Sequence, residues 1–258
     1  MLFRSQSFEV SGPYKPSGLS GTTSRDKIFV CHPSRGDAGA DEQLCAERIL
    51  SELATRAYRR PLAEEELQDL LAYYRDGAAV NGFEEGIRSG ITGILASPYF
   101  LYRIETPPVN VAPGETYALD DLTLASKLSF FLWNSIPDDQ LLNLATSGQL
   151  RAPGVLAAQV KRMIADPKAD SMINGFAGQW LGLRSLEAKV SPDLLMFPNF
   201  DDNVRKAFRK ETELFFGDIL RNDKSVMEML TANYTYVNER LAKHYGIKGV
   251  YGERFRKA

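Results

Sequence analysis

The stretch from Tyr117 to Leu150, YALDDLTLASKLSFFLWNSIPDDQLLNLATSGQL, restricts the fold more than any other part of the sequence. Asp120 is a suitable N-cap, and Ala125, Leu128 and Leu132 recur at helical spacing, with Leu124 and Phe131 widening the stripe. Thr123, Ser126, Lys127 and Asn134 fall on the other side, interrupted by Phe130. A helix apolar over so much of its circumference is normally buried between others. Asn134 is placed to end it, Pro137 to open the next helix and Gly148 to close that one. The stretch predicts a helical core and carries no chemistry.

The flanking sequence predicts a mainly α fold: a multi-helix bundle in two helical units behind a short N-terminal β segment. SFEVSGPY alternates around Phe8 and Val10, and KIFVC is a short β-rich run, so 1–32 reads as the end of an upstream sheet. The start at Met1, directly before strand-like sequence, reads as that of a fragment. From Asp41 the period turns helical, with Ala46, Ile49, Leu50, Leu53 and Ala57 on one stripe up to Pro61. EEELQDLLAYYRDG predicts a second helix that stops at Gly77, and GFEEGIRSGITGILAS a third. Gly82, Gly86, Gly90 and Gly93 share a face of that third helix, each interior one costing about 1 kcal/mol, so another backbone is expected to pack closely there. A second small-residue face, Gly175, Gly178 and Gly182, is a candidate partner. Pro107, Pro108, Pro113 and Gly114 make a linker between a first helical unit, 33–106, and a second, 115–258. Arg59-Arg60 reads as a solvated helix end, with anion binding as the alternative.

Charge and composition exclude several classes. A formal net charge of −2 gives no bulk attraction to nucleic acid or anionic membrane. The longest apolar run, Ile94 to Leu101, is too short to span a bilayer. His32 follows Cys31, but no cysteine stands three positions before it, so the CxxCH haem signature is absent. Two cysteines and two histidines, His32 and His244, at no recognisable spacing support no structural metal, and no cofactor is expected. Cys31 and Cys45 are either two separate thiols or one disulfide; composition leaves both open.

The candidates for chemistry lie on a long helix from about Asp201 to Leu220. Val204, Phe208, Phe215 and Ile219 form its apolar face, Glu211 falls on that stripe, and Asp218 lies two turns further. Carboxylates seldom enter a core without a partner. In the last helix Val237, Leu241 and Tyr245 form the inner face with His244 beside it, so Glu211 is expected to meet His244 or Arg240. A structural ion pair and a general acid–base pair both fit this pattern.

IFVCHPS, CAERILSELATRAYRRP, ASPYFLYRIE, LASKLSFFLWNSIPDDQLL, NGFAGQWLGLR, FDDNVRKAFRKETELFF and YTYVNERLAKHYGI together resemble a family of large exported proteins abundant in planctomycetes. Those proteins join several domains of unknown function, often with a separate cytochrome c-like domain. The resemblance implies export to the periplasm or cell surface, a Cys31–Cys45 disulfide, and neighbouring domains as partners, with no catalytic residues to carry over. The chain is therefore expected to be a non-catalytic helical structural or docking module. The alternative is an extracytoplasmic hydrolase acting on a polymer, with Glu211, Asp218 and His244 as candidate residues.

Overall fold

The computed structural model describes residues 21–33, 40–105, 108–112, 114–188, 191–193 and 195–258. It is mainly α-helical and divides into two compact units, one holding residues up to 57 with 62–102, the other 58–61 with 103–258.

The first unit is built from α1 (Thr23–Ile28), α2 (Ala40–Tyr58), α3 (Glu64–Ala96) and α4 (Pro98–Leu101). The expected strand KIFVC is not formed: Lys27 and Ile28 close α1, which Thr22 caps, and the following residues are irregular. The alternating stretch around Phe8 lies outside the described residues. Arg25 explains why this short helix holds. It pairs with Glu84 of α3 and lies 4.4 Å from the centre of the Phe29 ring. Cys31 and Cys45 are disulfide-bonded with Cα atoms 5.9 Å apart, tying the segment after α1 to buried positions of α2.

The expected stop at Gly77 is also wrong. Helix α3 runs on past it and breaks at Asn81–Gly82, where Gly82 has φ 77°. The reason lies in packing across that break. A Cβ on Gly77 would sit 2.8 Å from the Glu85 carbonyl oxygen, and one on Gly86 2.8 Å from that of Tyr74. The close backbone approach is therefore real, but it joins the two halves of α3. On the second small-residue face a Cβ at Gly175 or Gly182 would meet nothing within 4 Å.

The second unit holds α5 (Asp121–Trp133), α6 (Asp139–Thr146) and α7 (Val155–Ala165). A 3-10 turn (Pro167–Ala169), α8 (Asp170–Met172), a π-helical turn (Ile173–Ala177), α9 (Gly178–Trp180) and α10 (Leu183–Ala188) follow. The unit ends with α11 (Asp202–Arg221), α12 (Glu228–Thr231), β1 (Tyr236–Val237), α13 (Glu239–Tyr245) and β2 (Arg256–Lys257). Asp120 caps α5 and Asn134 ends it in the left-handed conformation, as its position predicts. Asp138 caps α6, so Pro137 stands outside that helix instead of opening it. Gly148 follows α6 at φ 67°.

The buried side of α5 is turned from the expected stripe. Asp121, Ala125, Ser129, Leu132 and Trp133 are buried, while Phe131 is 56% exposed. Trp133, not Phe131, is turned inward. Trp133 packs with Ala125, Leu141, Leu150 and Met163, and its indole N–H donates to the Met163 carbonyl at 2.9 Å. Buried Asp121 accepts from the Leu150 amide at 2.9 Å and from Arg151 Nε at 2.7 Å. The hydrophobic stripe alone cannot show that these two polar groups find partners inside. Arg59 is another correction: it is buried at φ 61°, its guanidinium 5.8 Å from the Phe130 ring centre, so it is no solvated helix end.

A second small core unites Ala207 of α11 with Val237, Leu241 and Ala242. Strands β1 and β2 pair antiparallel beside it, Tyr236 opposite Lys257 and Val237 opposite Arg256.

Candidate functional site

Helix α11 places the candidate carboxylates. Asp201 caps it by accepting from the Val204 amide at 2.8 Å, and Val204, Ala207, Gly217 and Ile219 form its buried face. Glu211 is half-buried beside that face, as its place on the stripe predicts. Its partners differ from the expected ones. One carboxylate oxygen accepts from the Thr235 hydroxyl, and the other accepts from the Tyr245 hydroxyl at 2.8 Å. Burial first, then the neighbouring Glu211, push the Tyr245 hydroxyl well above the usual tyrosine range.

Arg240 turns away to Asp201 and the Asn199 carbonyl. His244 is exposed and lies edge-on to Phe208, ring centres 5.2 Å apart, with the Tyr245 ring at 5.6 Å. The buried face of α13 is Leu241 and Ala242, not the Leu241–Tyr245 line that the sequence suggests. A seven-residue helix ended by Gly246 in the left-handed conformation turns Tyr245 outward at its last position. Glu211 and His244 therefore share a neighbourhood through Tyr245 but no hydrogen bond.

Asp218 occupies a denser cluster. It accepts from Lys224 Nζ at 2.6 Å, from the Asn222 amide at 2.6 Å and from the Tyr234 hydroxyl at 3.2 Å. Lys224 also donates to the Tyr234 oxygen at 3.0 Å, and the Tyr234 hydroxyl lies 2.8 Å from Glu228. Lys257 of β2 sits 3.5 Å above the Tyr234 ring, which closes the cluster from the sheet side. Burial opposes the charge on Asp218, but hydrogen bonds from Lys224, Tyr236, Asn222 and Tyr234 outweigh it and hold the carboxyl at about 2. Lys224 is raised above its ordinary range by Asp218 and Tyr234, and burial with Asp218 pushes Tyr236 up to about 12.

Efficient general acid–base catalysis needs a group that titrates near the working pH. These perturbations move the groups away from neutrality, each fixed in the form its partners require. The cluster's hydrogen bonds and charges join the end of α11, the turn after it and the sheet. Of its members the sequence indicates only Asp218. Asn222, Lys224, Tyr234 and Tyr236 become the partners of Asp218, and Glu228 that of Tyr234, through a tight turn, with Asp223 at φ 49°, that no periodicity predicts.

A groove of about 990 Å³ runs between α7 and the end of α11, lined by Leu156, Val160, Ile164 and Leu220, with Arg151 and Arg221 at its edge. Glu211, Asp218 and His244 do not line it. Among the described residues no group of three or more His, Cys, Asp or Glu side chains is arranged to hold a metal ion. No helix among them is long and apolar enough to cross a membrane.

No curated protein and no solved structure matches the chain. Two family models do. Residues 45–105 match PSD5, a protein of unknown function (DUF1595), and residues 119–247 match PSD4, a protein of unknown function (DUF1592). The second match covers α5 through α13, with both cores of the larger unit and every candidate carboxylate. It spans half of the 258 residues, and the chain therefore belongs to the DUF1592 family, with a DUF1595 region ahead of that domain.

Proposed function

We propose that the chain is a non-catalytic helical module that docks neighbouring domains of a large exported protein. The relatives it resembles are those abundant in planctomycetes, which often carry a separate cytochrome c-like domain. Such a haem would be attached elsewhere, because both cysteines of this chain are joined to each other. The disulfide fits an oxidising compartment. The observation that carries the reading is the saturation of both candidate acids by partners of their own fold: Lys224, Asn222 and Tyr234 for Asp218, Thr235 and Tyr245 for Glu211.

Chemical denaturation of single and double variants at Asp218 and Lys224 tests this. A carboxyl depressed to about 2 in the folded state contributes stability above its unfolded value near 4, and loses it as pH falls from about 4 to 2. After allowance for solvent screening this is worth about 1–2 kcal/mol. Asp218→Asn is expected to lose that amount at pH 7 and to lack this acid-dependent loss. Asp218→Asn with Lys224→Met should cost less than the sum of the two single changes. A neutral or stabilising Asp218→Asn would instead fit a carboxylate kept for function at the expense of stability.

A further inference from the structure

The tripeptide Asn-Gly-Phe occurs twice in the chain, at 81–83 and at 174–176, and both asparagines are exposed. The adjoining residues are the same, so a difference in reactivity between the two copies comes from the backbone. An asparagine before glycine is open to attack on its side-chain amide by the next backbone nitrogen, because glycine has no Cβ to block the approach. A regular helix closes that route, since each backbone N–H is held by the preceding turn and the dihedrals are fixed.

Asn174–Gly175 keeps helical surroundings. It lies within the π-helical turn Ile173–Ala177 between α8 and α9, and the Gly178 N–H donates to the Ile173 and Gly175 carbonyls. Unwinding this copy would also disturb Ile173 and Ala177, both buried. Asn81–Gly82 is the opposite case. The helical dihedrals of α3 fail at these two residues, with Asn81 at φ −149°, ψ 34° and Gly82 at φ 77°, ψ −170°. Nothing stands within 4 Å of where a Gly82 Cβ would be, so no packed group crowds that side of the pair.

We propose that Asn81–Gly82 is a self-modifying site, where asparagine converts through a succinimide to aspartate and isoaspartate, and that the isoaspartate form loosens α3. The Gly82 nitrogen bonds to the Asn81 side-chain carbonyl carbon, the carbon–nitrogen bond of the side-chain amide breaks, and the Gly82 amide proton leaves with that nitrogen as ammonia. Water then opens the five-membered ring. Cleavage of the new bond gives aspartate, and cleavage of the original peptide bond gives isoaspartate, whose backbone runs through the former side chain. Water is the only co-reactant, and nothing is oxidised or reduced.

The two products differ in what they do to the fold. Aspartate keeps the backbone and puts negative charge at the start of the second half of α3, where it suits the helix end. Isoaspartate adds a backbone atom at the break. The halves joined there approach so closely that a Cβ on Gly77 or Gly86 would lie 2.8 Å from a carbonyl oxygen of the other half. Phe83, next to the break, packs edge-on against Tyr74 with ring centres 6.0 Å apart. A longer connection shifts these contacts. The site lies in the smaller unit, and its chemistry does not depend on whether the chain docks other domains.

The experiment ages the whole chain at mildly alkaline pH, folded and in urea, and follows both peptides by mass spectrometry in oxygen-labelled water. Methylation by a protein isoaspartate methyltransferase counts the isoaspartate. In the folded chain Asn81 is expected to convert about tenfold or more faster than Asn174, which corresponds to about 1.4 kcal/mol of local unwinding at the second copy. In urea the two should convert alike. Asn81→Gln should remove the reaction at this position and leave the fold intact, since the residue is exposed. Aged chains, separated by anion exchange and sorted by methylation, should show the smaller unit melting about 4 °C or more lower in the isoaspartate fraction. Asn81→Asp should melt like the unaltered chain. No conversion at Asn81, or equal rates at the two copies of the folded chain, would overturn the proposal. So would aspartate formed without isoaspartate, or an isoaspartate fraction that melts like the unaltered chain.

Discussion

Replacing Trp133 by alanine is expected to destabilise the larger unit by about 3–5 kcal/mol, the usual range for emptying a large aromatic site in a core. The side chain is 2% exposed and fills the space between α5, α6 and α7, so its removal leaves a cavity among Leu141, Leu150 and Met163. The change also strips the Met163 carbonyl of its indole donor, which adds the cost of an unsatisfied buried acceptor. Phe131→Ala, two residues earlier on the same helix, should cost less than about 1 kcal/mol because more than half of that residue is in solvent. Urea unfolding of the two variants measures the contrast. Equal losses would mean that α5 is rotated from the position described.

Reduction of the Cys31–Cys45 bond should destabilise the smaller unit by about 3 kcal/mol, the chain-entropy value for a loop of about 15 residues. The Cα separation of 5.9 Å lies in the ordinary range for a relaxed bridge. The bridge ties the segment after α1 to α2, while the Arg25–Glu84 pair and the Phe29–Phe83 ring contact tie α1 and the residue after it to α3. Thermal melts with and without reductant check this. The transition of the smaller unit should move down while that of the larger unit, which contains no cysteine, stays in place. A melt insensitive to reductant would show that the segment from α1 to Cys31 contributes little to folding.

Much of the helical framework is legible in the sequence, because it rests on local signals. Asp120, Asn134 and Gly148 act where their chemistry predicts, and α11 starts and ends within a residue or so of its expected limits. Reading fails where a residue's role is set across the fold. Gly77 looks like a helix stop until the second half of α3 folds back on it. Ile28 looks like a strand residue, but no neighbouring strand is described for it to pair with, and Arg25 is anchored to Glu84 instead.

The candidate site shows the same division. The stripe correctly places Glu211 beside buried positions, but it cannot choose between His244, Arg240, Thr235 and Tyr245, which lie within a few residues of one another. A short helix that ends at Gly246 turns both His244 and Tyr245 to the surface, and the tyrosine hydroxyl reaches back to the acid.

Whether the carboxylates are structural is tested most directly in the organism, by restoring a gene-deletion strain with the full-length gene carrying Glu211→Gln and His244→Ala. His244 is exposed, so its loss should change stability by no more than about 0.5 kcal/mol, and glutamine still accepts from one of the Thr235 and Tyr245 hydroxyls while its amide N–H donates to the oxygen of the other. The variant should therefore accumulate near the normal level. A non-catalytic module predicts full rescue of the deletion phenotype at matched protein abundance. A folded, equally abundant variant that fails to rescue would contradict it and return Glu211 and His244 to the role of catalytic residues.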